Sequence, residues 1–410
     1  MKRILIPLTN NRHLGAIIAL SVGSLFFILA HQNYYEHLDY TFRLASALAN
    51  GQLGLASSPT WLNELIPHGN LYYSAFPLGS ILSVLPFSTL VNWHILGEYP
   101  VAAVVGIIAG VTSWLSYRYS LVRRDLTTAH RIILTTWLLF GTWYLTNLLF
   151  AGAWHLALGF AVLGELGVLV YTLVKPNPAL AGLFFALAFG NRTEILFTAP
   201  IFFYFLLRSD IQQAGRNTWK RLSAWKTVGL FSLAPALLGL ATLAYNQLRF
   251  GSIADFGYSH IPGVLDEPLY SGGIFSLVPV SENARQMLWQ GSKHLESFPY
   301  FVPTGFGGSI FLASPFLLLL LRRWHGQRHR LVASTLAIFV LTATLWLHGN
   351  PGGWQYSYRY AMILLPWILV IFIEILPQKV SKTEATLWII SIATNAYATY
   401  LFMWTKYVQP

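Results

Sequence analysis

The sequence predicts an all-α polytopic membrane protein with about eleven transmembrane helices, and three observations predict it. The 410 residues are 55% hydrophobic and only 10% charged, whereas soluble domains average about 25% charge. Apolar runs of about 17–25 residues, the length a spanning helix needs, recur along the chain. The connectors between them alternate between strongly basic and acidic or neutral, the asymmetry that distinguishes the two sides of a membrane. Only helices or closed barrels satisfy their backbone in lipid, and runs this long exclude a barrel. The absence of cysteine excludes thiol chemistry, disulfides and cysteine metal sites. A net charge of +11 reads as cytoplasmic loops and not as a nucleic-acid surface.

Residues 1–30 open with a basic segment and an apolar run, but "FILAHQ" lacks the small residues of a cleavage site. A retained first helix is expected. Apolar runs then fall at 14–30, 76–92, 100–117, 132–150, 154–174, 179–207, 227–246, 303–321, 331–347, 360–376 and 385–404. The basic connectors are 1–13, 118–131, 208–226, 322–330 and 377–384; segments 31–75 and 247–302 are acidic or neutral and rich in Tyr, Ser, Gly and Pro.

If every run crossed once, 118–131 and its four arginines would lie outside, against the positive-inside rule. Leaving 76–92 uncrossed repairs this. Pro77 and Pro86 interrupt its helical hydrogen bonds, so it is expected to be re-entrant, with 31–99 forming one external segment. The 29 residues of 179–207 would make a helix of about 43 Å, too long for a core of about 30 Å. Two short helices with "NRTE" at an outer turn are expected there. With the N-terminus inside, 19 of the 26 Lys/Arg are then cytoplasmic and ten of the 15 acids external. The chain divides into 1–210, with external loop 31–99, and 211–410, with external loop 247–302.

Asp39 opens the segment "LDYTFRLASALANGQL", whose polar and apolar positions recur at i, i+4, i+7 and i+11, the mark of an amphipathic helix. A helix along the outer membrane surface is expected. Asp39 is either a helix-start charge pairing with Arg43 or a general base or metal ligand beside the headgroups. Tyr72 and Tyr73 are either belt residues or site contacts. Arg192 in "GNRTE" and Arg359 in "GGWQYSYRYAMILLP" sit at outer span ends, where a cation needs an anion. Glu194 is one partner for Arg192; a phosphate gripped through two parallel hydrogen bonds is the other. His155 at the start of a span is either a hydrogen-bonded structural residue or a ligand. Glu165 within that span is a pairing or relay candidate. The acids of 247–302 lack the spacing of a calcium or zinc site.

Together, Asp39 on its surface helix, "LYYSAFPLGSILSVLP", "GNRTE" and "GGWQYSYRYAMILLP" resemble the GT-C superfamily of polytopic glycosyltransferases, nearest the protein O-mannosyltransferase and lipid A aminoarabinose transferase group. The resemblance covers about residues 14–210 and a patch at 349–366. It implies transfer of a sugar from a polyprenyl-phosphate-type lipid donor to an acceptor glycan, lipid or protein on the outer face of the cell membrane. It maps the base onto Asp39 and the donor-phosphate contacts onto Arg192 and Arg359. The second acid that many relatives carry is missing from "LLFAGAWH", so no metal or cofactor is expected, and Glu64 is a substitute acid. The rival expectations are a lipid-linked polysaccharide ligase or polymerase and a multi-pass transporter.

Overall fold

A computed structural model describes residues 9–32, 38–59, 62 and 64–408. Helix α1 (Thr9–His31) leads to the short α2 (Tyr40–Ala49), the hairpin β1 (Ile66–His68) and β2 (Leu71–Tyr73), and α3 (Leu78–Asn92). Then come α4 (Val101–Ser120), α5 (Thr128–Phe140), α6 (Tyr144–Leu149) and α7 (Ala153–Leu169), which ends in a π-helical turn to Val174. The second half holds α8 (Pro178–Asn191), α9 (Ala199–Ala214), α10 (Leu222–Phe250) and α11 (Val280–Leu288). Two tiny strand pairs follow, one of β3 (Lys293–His294) with β4 (Phe301–Val302), the other of β5 (Phe306–Gly307) with the later β6 (Gln355–Tyr356). The helices α12 (Ile310–Ala313), α13 (Arg328–Leu347), α14 (Leu365–Ile375) and α15 (Lys382–Trp404) complete the chain.

The fold is mostly helical, and five helices among the described residues are long and apolar enough to cross a membrane: His13–His31, Val101–Ser120, Ala153–Val174, Leu222–Phe250 and Arg328–Leu347. Helix α10 exposes Leu233, Leu237 and Leu240, with only 6% of its apolar window buried. An apolar face of that extent on a long helix belongs against lipid. Where α1 meets α4, a Cβ on Gly106 would come within 2.8 Å of the Gly23 carbonyl, the close backbone approach that small residues permit between membrane helices.

Several apolar runs are broken where the sequence places breakers. Run 132–150 divides into α5 and α6 around Gly141, and run 303–321 becomes α12 and a 3-10 segment from Pro315 to Leu321. Run 360–376 likewise starts as 3-10 turns, Arg359–Leu364, before Pro366 in the first turn of α14. Run 179–207 breaks after Asn191: Arg192 is extended (φ −138°, ψ 99°) and a 3-10 segment, Thr193–Thr198, precedes α9. Phe202 of α9 packs on Phe185 of α8, and Phe205 on His329 at the start of α13. Helix α9 therefore doubles back, leaving Arg192 at the turn.

The segment 76–92 is the helix α3, with Pro77 as its N-cap and Pro86 inside it. Its fifteen residues reach about 22 Å, short of the roughly 30 Å hydrocarbon core. One expectation changes. Helix α2 does not lie open on a membrane surface: Tyr40, Thr41, Phe42, Leu44, Ala45 and Ala47 are buried. The cause is α3, whose Ser88 hydroxyl donates to the Phe42 carbonyl at 3.0 Å and whose Asn92 side chain bonds Ser46.

At the end of the bundle opposite these loops, the basic connectors are tied down. Arg123 donates to the carbonyls of Ile373, Glu374 and Leu376, and Arg131 to those of Ser120 and Leu126. Cations here satisfy the orphan carbonyls at helix C-termini. Glu384, in the first turn of α15, is reached by His130 at 3.0 Å and by Arg322. Burial alone raises its carboxyl, but bonds from His130, the Ser381 backbone and Arg322 outweigh that and hold it down at about 2.

Helix α3 is locked to α8 through Gly79, where a Cβ would collide with the Cα and carbonyl of Gly190. Gly79→Ala should therefore destabilise the protein by about 1–3 kcal/mol, the usual cost of overpacking. Gly97→Ala, at a position with open space around it, should leave the melting temperature in detergent unchanged. Equal melting of the two variants would show that the α3–α8 contact yields freely.

Candidate functional site

The turn after α8 supplies the first cation. Asn191 is held by α3, its amide donating to the Ser83 hydroxyl at 2.9 Å. The extended Arg192 then points off the helix, donating to Glu194 from Nε at 2.9 Å and from Nη2 at 2.6 Å. Its guanidinium lies 4.6 Å from the centre of the Tyr360 ring.

The second cation comes from the segment after α13. The pairing of β6 with β5 and the left-handed Ser357 (φ 55°) shape the turn. The Arg359 backbone N–H then donates to Gln355 Oε1 at 3.0 Å. The Arg359 side chain is buried, with Nη1 donating to the Trp354 carbonyl at 3.0 Å and Nη2 reaching the Tyr360 hydroxyl at 3.4 Å. Its guanidinium lies 5.1 Å from the Tyr360 ring and 5.9 Å from that of Trp154. Among the described residues Arg359 has no ion pair, and its Nε has no hydrogen-bond partner. The two arginines named from sequence thus share one aromatic ring, an arrangement in which each cation meets the negative face of a π system.

Across Trp154 stands an acid. The half-buried indole donates from Nε1 to Glu64 Oε2 at 3.0 Å, and its ring packs on Tyr40 at 5.2 Å and Phe76 at 5.9 Å. Glu64 is exposed to solvent and marks the open side of this cluster, which we call the recess. Partial desolvation raises its pKa, while Arg359 and the Trp154 bond pull the other way. A third wall is aromatic. The hydroxyls of Tyr258 and Tyr270 meet at 2.6 Å, and the His348 ring lies 5.6 Å from Tyr258 and 6.4 Å from Tyr360. Burial, and then Tyr360, push the Tyr258 phenol up to about 12. Tyr258 also faces a hollow of about 360 Å³ lined by Ser252, Asp255 and Ser259.

The other expected residues are placed as follows. Asp39 is the N-cap residue of α2, but its side chain makes no capping bond; Oδ1 accepts from Arg43 Nε at 2.7 Å. Tyr72 packs near Tyr40, Leu62 and Trp154 at the edge of the recess. Tyr73, its neighbour on the strand, faces the opposite way and meets Phe250 edge-on, ring centres 5.5 Å apart. There Arg249 donates to the Ser74 carbonyl at 3.0 Å and lies 4.2 Å from the Tyr245 ring, tying the hairpin to α10. The structure therefore separates Tyr73 from the arginine pair. His155 is buried against Phe150 beside the Trp354 backbone, with no ring-nitrogen hydrogen bond of ordinary geometry among the described residues. Glu165 finds a partner in Trp367, whose Nε1 donates at 2.8 Å.

Trp154, Tyr258 and Tyr360 were not picked out by sequence reasoning. Tyr360 stands next to Arg359 in "YSYRYAM", so adjacency to a span-end arginine was the available signal. The arrangement is chemically an anion site, offering two guanidinium groups of which one is already balanced by Glu194, with an accessible carboxylate at its rim. No group of three or more His, Asp or Glu able to hold a metal occurs among the described residues.

The Glu64 carboxyl gives this recess a pH signature. The folded state holds that proton more tightly than the unfolded chain, so the associated stability is complete at low pH and falls as pH rises above the ordinary value of 4.5. Glu64→Gln should match the parent melting temperature below that pH and exceed it near neutrality. Parallel melting profiles for parent and variant would mean that Glu64 is fully solvated.

Compared with known proteins, the chain matches no protein-family model, no curated protein and no solved structure.

Proposed function

We propose that the protein is a membrane glycosyltransferase. It moves a sugar from a polyprenyl-phosphate-type lipid donor to an acceptor on the outer face of the cytoplasmic membrane. In this reading about eleven segments cross, the broken runs among them, with the arginine-rich connectors inside. The recess between Trp154, Tyr360 and Tyr258 then faces outward.

The observation that carries the proposal is Arg359: a buried guanidinium in ion-pair contact with no carboxylate among the described residues, beside Arg192 on the shared Tyr360 ring. A phosphate completes that site. In the reaction an acceptor hydroxyl oxygen bonds to the anomeric carbon as the bond from that carbon to the phosphate oxygen breaks. The electron pair leaves with the phosphate, where the arginines stabilise the growing charge, and the hydroxyl proton passes to a carboxylate. The sequence gives that role to Asp39. A specific observation favours Glu64 as a second candidate, since it opens into the recess and faces Arg359 across Trp154, whereas Asp39 is engaged by Arg43. A ligase or polymerase of lipid-linked glycans would use the same groups, and a transporter would move its substrate without cleaving it.

Arg359→Ala should weaken donor binding by about 10–150-fold, the equivalent of one charge-assisted hydrogen bond of about 1.5–3 kcal/mol. Arg192→Ala should cost less, because Glu194 already balances that cation, and each Lys variant should fall between Ala and wild type because it keeps charge but loses the fork. Of Asp39→Asn and Glu64→Gln, the one that removes the base should lower turnover by about 10²–10⁴ with donor affinity kept. Unchanged donor affinity in both alanine variants, in folded protein, would remove the phosphate site.

A further inference from the structure

The segment between α11 and α12 carries a feature that the sugar-transfer reading does not use. Strands β3 and β4 form a small hairpin whose tip exposes Phe298 (58%), Tyr300 (52%) and Phe301 (59%). Three large aromatic side chains displayed together need a cover. The hairpin is fastened to α15: the Tyr397 hydroxyl shares its proton between the carbonyls of Pro299 at 2.8 Å and Phe301 at 3.2 Å.

The depth of that fastening identifies the cover. Helix α15 starts at Lys382 beside the basic connectors and exposes Ile389, Ile390, Tyr400 and Trp404 along its outer face. Tyr397 lies fifteen residues beyond Lys382, about 22 Å along the axis, within the roughly 30 Å of a hydrocarbon core. The backbone at the tip is partly bonded within the hairpin. The Leu295 N–H donates to the Tyr300 carbonyl at 2.7 Å, Tyr300 N–H to Ser297 at 2.9 Å, and Phe301 N–H to Pro299 at 2.7 Å. The Glu296, Ser297 and Phe298 N–H groups have no such bond among the described residues, which suits the hydrated headgroup boundary and not the hydrocarbon interior. Aromatic residues are the ones that favour the boundary between headgroups and chains, where the exposed charges of Lys293 and Glu296 stay hydrated.

We propose that the hairpin 293–302 is a membrane-inserted element whose aromatic tip sits in the headgroup–acyl boundary of the bilayer, alongside α15. It anchors the segment that includes β5, and through the β5–β6 pairing it steadies the turn that carries Arg359. This inference rests on the proposed topology, in which α15 crosses the membrane, and is independent of any sugar chemistry.

The cysteine-free sequence makes a direct test possible. Full-length protein in lipid nanodiscs carries one spin label, at Phe298→Cys or Phe301→Cys, with Ile390→Cys as the lipid reference and Asp266→Cys as the water reference. Molecular oxygen partitions into lipid and a nickel chelate stays in water. The tip labels should be as accessible to oxygen as the label at position 390 and should lose the nickel accessibility seen at 266. Nickel accessibility equal to that at 266 would place the tip in water. Shielding from both reagents would mean that protein covers it. Either result overturns the proposal.

Discussion

Arg359 has been taken almost out of water, 5% exposed; among the described residues its guanidinium meets a carbonyl, a phenol and two aromatic faces, and the Glu64 carboxylate acts on it only at longer range. An unpaired buried charge costs several kcal/mol even after relaxation. The surroundings of Arg359 are accordingly built to lower that cost without cancelling the charge. Trp354 contributes its carbonyl, Gln355 fixes the backbone, and Tyr360 spreads its ring beneath both this guanidinium and that of Arg192. A charge that is tolerated but not neutralised keeps a capacity to bind an anion, which is why the functional reading centres on it.

The scaffold serves that arrangement from three directions. The abrupt end of α8 releases Arg192, and the Gly79–Gly190 contact presses α3 against the same end, where Ser83 holds Asn191. The parallel pairing of β5 with β6 fixes the turn before Arg359. The start of α7 presents Trp154, which links Glu64 and Tyr40 to the arginines. At the far end, Arg123, Arg131 and the Glu384 cluster with His130 and Arg322 bind helix termini together. Basic residues at the two ends have different employment: structural caps at one, a partly unbalanced pair at the other.

Much of this was legible in the sequence. Hydropathy marked the long helices, and Pro77 and Pro86 marked 76–92 as a segment apart, which the structure shows as the fifteen-residue helix α3. The length of 179–207 against the thickness of a bilayer led to the break at "NRTE", and both arginines were named. What stayed hidden depends on contacts between distant segments. Nothing local says that Trp154 bonds Glu64, ninety positions earlier, or that Trp367 answers Glu165. The alternation of a strand, invisible until the hairpin is seen, sends Tyr73 to Arg249 and leaves Tyr72 at the recess. The i, i+4 pairing of Asp39 with Arg43 was visible as one of two alternatives, and the structure shows that contact.

The central claim is that Arg192 and Arg359 form a phosphate site for a lipid carrier. Native mass spectrometry of protein purified gently from its membrane tests it most directly, because it reports the bound lipid without assuming a reaction. The account predicts a retained polyprenyl phosphate or its glycosylated form, lost when Arg192→Ala and Arg359→Ala are combined in a protein that still melts cooperatively. A spectrum with no phosphate-bearing lipid, or one whose lipid survives the double substitution, would contradict it.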